Sequence, residues 1–346
     1  MAGYFAIFLV VITLASGLIW LIDARFHAPK RREEIALALK AAGHDINIEA
    51  IRGTRAYRRL GAAGLSTSAM NSIIKDLKLG DGEKVDITSF QEMAPQPAIA
   101  ETAQSIFPIL AAITIFRSFL FEPFQIPTGS MMPTMLVGDF ILVQKYTYGV
   151  HDPIWRKELI TTGSPERGDI AVFKFPGNEN IDYIKRVVGL PGDRVVYYKK
   201  QLFVQPSCER SPEACDKLVP MEITEVQTSE FINRYGTFLQ QSTEQLGDVS
   251  HQILVDPTQP ELKRRYYQQP GTKVGEWIIP EDKYFLIGDN RDNSEDSRFW
   301  GFVSEDQLVG KAVFIWMSFV YNDGAISWLP NWAPVDIRFS RLGSVQ

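Results

Sequence analysis

Ile181-Asp182-Tyr183-Ile184-Lys185-Arg186-Val187-Val188, closed by the turn Pro191-Gly192-Asp193, is the stretch that decides the fold. β-Branched and aromatic residues fit a pleated, half-buried surface, and Pro-Gly-Asp stops a strand sharply. On a strand, alternate side chains share a face. Ile181, Tyr183, Lys185 and Val187 then point one way, and Asp182, Ile184 and Arg186 the other. This places Lys185 among apolar neighbours and leaves Arg186 free to reach solvent. Working outward, similar short apolar stretches recur between Gly, Pro and Asp signals at 140–143, 170–175, 195–198, 284–287 and 312–319. From Phe124 onward this is the pattern of an all-β domain of short strands. The polar stretch 199–277 reads as an inserted, smaller β-rich region.

The 346 residues are 45% hydrophobic and 22% charged, enough for a sizeable core. A formal net charge of −5 gives no reason to expect nucleic acid. No phosphate-binding glycine loop is present, and no cofactor or metal is expected. The two cysteines, Cys208 and Cys215, form either a local disulfide, which needs an oxidising compartment, or two free thiols.

Ala2 to Ile22 carries no charge and is long enough to cross a bilayer. The basic residues follow it, at Arg25, Lys30, Arg31 and Arg32, which puts the N-terminus outside. A second apolar segment, 103–121, returns the chain, with Arg117 snorkelling to the interface. The expected organisation is therefore a first span at 1–22, a cytoplasmic linker at 23–102 and a second span at 103–121. The β-domain follows in two parts, 122–198 and 278–346, around the insertion. Four arginines between Arg52 and Arg59 suit either anionic phospholipid or a plain solvated helical face.

Ser130 lies in Ile126-Pro127-Thr128-Gly129-Ser130-Met131-Met132-Pro133-Thr134, directly after the second span. Prolines fix the backbone on both sides of this small hydroxyl residue. A serine is a poor nucleophile without a base. Of the four histidines, His27 and His44 fall on the cytoplasmic side, and His151 and His251 sit in polar turns without an orienting carboxylate motif. Lys185 is the stronger candidate. An ordinary lysine is neutral only about 0.04% of the time at pH 7. Burial that lowers its pKa by roughly three units makes the base about a thousandfold more available, at a cost of about 4 kcal/mol. The alternative is a lysine that snorkels to a sheet edge. A third cluster runs from Gly288 to Arg298. Its spacing does not fit a calcium loop, because Ser294 stands where glycine is needed and Trp300 where glutamate is. It suits a hydrogen-bonded scaffold in which Ser294 orients the lysine amine and Asp296 and Arg298 brace the loop.

These segments together resemble the bacterial type I signal peptidases: Pro127–Thr134, Gly168–Phe173, Tyr183–Asp193, and Gly288–Arg298 with Trp300-Gly301. The resemblance implies a membrane-bound Ser-Lys protease, mainly β, with two N-terminal transmembrane helices and an extracytoplasmic catalytic domain on the periplasmic side of the inner membrane. Ser130 is then the nucleophile and Lys185 the general base. The Ser130 N–H and the Thr128 hydroxyl form the oxyanion hole, and Ser294, Asp296 and Arg298 support them. Substrates are exported preproteins, cut after small residues. Extended peptide pairs with the edges near Phe124–Thr128 and Asp182–Ile184. Ile126, Met135, Ile141, Tyr183 and Ile184 wall shallow apolar pockets, with Pro127 and Met131 adjoining. A Cys208–Cys215 disulfide also follows from the resemblance, as do the bilayer and the translocation machinery as partners. A membrane-tethered peptide-binding factor without proteolytic activity is the rival reading, but it leaves the Ser130, Lys185 and Asp/Arg combination unexplained. A penicillin-binding Ser-x-x-Lys enzyme is excluded by Pro133.

Overall fold

The computed structural model describes residues 2–41, 96–152, 158–213, 215–322 and 328–345. The chain divides into two compact units, Met1–Ile115 and Phe116–Gln346.

The first unit is helical. Helix Ala2–Ile22 passes through a π-helical turn, Asp23–His27, into helix Ala28–Ala41. The second apolar helix is Ala98–Ile115. It begins at Ala98 rather than near residue 103. Pro97, whose missing N–H costs nothing before a first turn, accepts from the N–H groups of Ala100 and Glu101. The two apolar helices run antiparallel. Thr13 meets Thr114 hydroxyl to hydroxyl at 2.7 Å, and the Trp20 and Phe107 rings lie 5.4 Å apart. A Cβ at Gly17 would fall 2.6 Å from the Phe107 ring, so a glycine there lets the helices approach closely. By length and composition, the helical stretches Ile7–Leu37 and Ala98–Leu120 are able to cross a membrane. Arg52–Arg59 and His44 lie outside the described residues.

The second unit is mainly β. Its main sheet orders the strands Phe121–Gln125, Asp139–Gln144, Leu308–Tyr321, Ile170–Phe175, Asn178–Gly189, Lys283–Ile287 and Val303–Ser304. Each stretch expected from alternation lies within one of its strands or, for 195–198, in Arg194–Tyr198 of a smaller sheet. That smaller sheet also contains Gln201–Gln205 and Glu276–Ile278. A polar three-stranded ribbon follows, Glu222–Ile232, Phe238–Leu246 and Val249–Val255.

Three apolar clusters among the described residues hold this unit. One joins Ile126, Met131, Met135, Ile141, Val143 and Val172, and another gathers around Trp277, Tyr197 and Phe285. A third joins Phe173, Val187, Leu286 and Leu308. Each fully buried large apolar side chain contributes about 1.5–3 kcal/mol. Cys208 and Cys215 are joined in a disulfide. Trp300 packs on Phe173 with ring centroids 5.7 Å apart, whereas Trp328 and Trp332 are exposed.

Arg186 departs from expectation. It does not reach solvent but is 1% exposed. The face it occupies is covered by Asp289, whose carboxylate accepts from its Nε at 2.9 Å and its Nη2 at 2.8 Å.

Candidate active site

Ser130 sits on a short 3-10 turn, Gly129–Met131, between the strands Phe121–Gln125 and Asp139–Gln144. The segment is pinned at its base, where the Ile126 N–H donates to Asp139 O at 2.8 Å and the Gly138 N–H donates to Ile126 O at 3.0 Å. It is pinned again from the Gly288–Arg298 loop. The Asn290 N–H donates to Ser130 O at 3.1 Å, and Asn290 Nδ2 donates to Gly129 O at 3.0 Å. Gly288 makes this contact sterically feasible. A Cβ there would stand 2.5 Å from Ser130 O and 2.2 Å from Ser294 Oγ, so any side chain would push the two segments apart.

Lys185 comes from the strand Asn178–Gly189, opposite Ala171 in the ladder. Its Nζ donates to Ser130 Oγ at 2.8 Å and to Ile184 O at 2.8 Å, and it stands 5.2 Å from the centre of the Tyr183 ring. Burial lowers its pKa to about 8, although the negative charges of Asp296 and Asp289 resist the fall.

The third cluster packs on this pair through Asp296 and Arg298. Asp296 takes Arg298 Nε and Nη2 at 2.8 Å each and accepts from the Gly288 N–H at 3.1 Å. It therefore fixes the loop against Ser130. Burial would raise the Asp296 carboxyl, but the Arg298 guanidinium outweighs it and holds the group ionised. Ser294 does not hold Lys185. Its Oγ lies against the Gly288 backbone and helps Asp296 stay ionised through a side-chain hydrogen bond, while the amine is engaged by Ser130 and Ile184.

A cavity of about 510 Å³ opens on Ser130 and Lys185. Of the residues expected to contact substrate or oxyanion, Pro127, Thr128, Asp182, Tyr183 and Ile184 line it. Ile126, Met131, Met135 and Ile141 do not. They are at most 2% exposed and form the core beneath, with Phe124 packed on their edge. The inward phase of the strand Asp139–Gln144 buries Ile141, and the 3-10 turn tucks Met131 under Ser130. The cavity lies against a bare strand edge. The strand Lys283–Ile287 pairs with Arg186, Val187 and Gly189, so the outer edge of Asp182–Lys185 faces open space.

Several residues of the site are not marked by the sequence. Asn290 and Gly288 stood within the third cluster without a role. Leu262 and Arg265 come from the inserted region and line the same cavity. Arg265 ends the run Lys263-Arg264-Arg265, which reads in sequence as a solvated charge patch.

Residues 99–317 match the family model described as signal peptidase, peptidase S26. The signal peptidase I of Buchnera aphidicola from Acyrthosiphon pisum is 45% identical over 70% of this chain and 80% of its own. That of Pseudomonas fluorescens is 35% identical over 99% of both chains. That of Haemophilus influenzae is 34% identical over 98% of this chain and 90% of its own.

Proposed function

We propose that this chain, which belongs to the signal peptidase family S26 and is a serine endopeptidase, removes signal peptides from exported preproteins with Ser130 as nucleophile and Lys185 as base. The observation that carries this reading is the 2.8 Å contact between Lys185 Nζ and Ser130 Oγ, both buried. With the amine neutral, the Ser130 hydroxyl donates to Nζ and its oxygen attacks the scissile carbonyl. The oxyanion that develops is met by the Ser130 N–H and the Thr128 hydroxyl. The Lys185 ammonium then returns the proton to the leaving amine, and the acyl-enzyme is cleared by a water that Lys185 deprotonates.

A pKa of about 8 suits both directions of transfer near neutral pH. The bare edge at Asp182–Lys185 supplies backbone groups for an extended substrate. The apolar helices anchor the protein in the inner membrane, with the second unit on the periplasmic side. This follows from the charges after Ile22, and the Cys208–Cys215 disulfide agrees with an oxidising compartment.

The test is to incubate detergent-solubilised wild type, Ser130→Ala and Lys185→Ala with a preprotein. Both variants are expected to stay folded by circular dichroism and to release no mature product. Cleavage by either purified variant at a rate within about tenfold of wild type removes the dyad.

A further inference from the structure

A second cavity, of about 340 Å³, lies beside the first and shares Leu262, Arg265, Asp292 and Asn293 with it. It begins at Met132, just past Ser130, and runs toward the ribbon at Ile232 and Arg234. We propose that this cavity receives the part of the substrate that follows the cut, and that Arg265 selects an acidic side chain within its first few residues. The inference rests on the function proposed above.

Continuity is the first argument. Peptide lying along Asp182–Lys185 brings its scissile carbonyl to Ser130 and must then leave. The second cavity opens there, and an extended chain advances about 3.3 Å per residue. The first residues after the cut therefore meet the rim that the two cavities share.

Charge is the second argument. The acids on this rim are already occupied. Asp292 accepts from Lys200 Nζ at 2.9 Å and from the Asp256 N–H at 2.8 Å, and Asp256 accepts from Asn233 Nδ2 at 2.7 Å. Arg265 is exposed, with its guanidinium held over the Phe299 ring at 5.4 Å, and among the described residues it makes no ion pair. Stacking fixes the plane of the fork while leaving its N–H groups for a carboxylate. Arg234, also exposed, stands over Tyr235 at 4.7 Å and adds a second positive charge farther along. A mature segment with an early Asp or Glu matches this surface, and one with Lys or Arg is repelled.

The experiment uses the full chain in detergent and three peptides identical through the cut, with Asp, Asn or Lys at the second and third positions after it. The readout is the ratio of kcat/KM values within each enzyme. Wild type is expected to favour Asp over Lys by about fivefold, the range of a partly solvated ion pair. Arg265→Gln should bring the ratio near one, and Arg265→Glu should invert it. A wild-type ratio near one, or a ratio unchanged in both variants, overturns the proposal while leaving the Ser130 and Lys185 chemistry standing. Cleavage of the Asn peptide that persists in Ser130→Ala removes the dyad instead, and wild type that cuts none of the peptides overturns both.

Discussion

Lys185 and Arg186 are neighbours on one strand, and they are 4% and 1% exposed. The region behind Arg186 answers burial with opposite charge. Asp289 takes its guanidinium, and beyond it Arg291 pairs with Glu244 while His251 Nε2 lies 3.4 Å from the same Glu244 carboxylate. Burial alone would raise Glu244, yet the Arg291 charge overrides it and holds the carboxyl down at about 2. Burial pushes His251 down, toward its neutral form. The region in front of Lys185 gives no such answer. Its amine touches a hydroxyl and a carbonyl, both uncharged, and the charges of Asp296 and Asp289 offset desolvation only in part, so the pKa falls to about 8. A paired buried charge is locked and works as framework, whereas an unpaired one can exchange a proton near neutrality.

Lys185→Met should sharpen this contrast most. Cleavage is expected to fall by about 10²–10⁴-fold, the usual contribution of a general base. Stability at pH 7 is expected to rise, by at most ~3 kcal/mol for a lysine held near pKa 8 instead of 10.5. The folded pKa lies below the unfolded one, so the wild-type penalty is full below pH 8 and is relieved as pH rises to 10.5. The gap in melting temperature between variant and wild type should close over that window, and a variant no more stable than wild type at pH 7 breaks the comparison. Asp289→Asn tests the other side. It strands Arg186 as a buried, uncompensated charge and should cost about 3–5 kcal/mol in denaturant unfolding. A loss under about 1 kcal/mol would mean that Arg186 is not held as framework. The smallest effect is the pH profile. Wild-type kcat/KM should rise about tenfold per pH unit up to about 8 and then level off, because only neutral Lys185 accepts the proton. An acid limb near 10.5 would make Lys185 an ordinary solvated lysine.

The sequence made one side of this comparison legible and hid the other. Lys185 could be placed among apolar residues because alternation in 181–188 assigns faces without tertiary information. Arg186 was assigned to solvent by the same rule, since alternation says which residues share a face but not what covers it. Asp289 lies 103 positions away in the chain. Ile126 and Ile141 read as pocket walls for a related reason, as an apolar residue on a strand looks the same whether ligand or core covers it. Within the inserted β-rich region the strand Glu222–Ile232 has no legible bounds, because it is exposed on both faces for most of its length and so shows no period of two. Ser294 was placed near the right atoms, but hydroxyl direction depends on the close approach of Gly288, which no local pattern reports.

The hydrogen bond from Asn290 to Gly129 spans 161 positions of chain. At 5–20 residues per second, a ribosome takes roughly 8–30 s to travel from one to the other. Throughout that interval Ser130 exists without the loop that pins its carbonyl. The last anchor arrives late in translation, so in the unfinished polypeptide the Gly129–Ser130 turn is held from one side only.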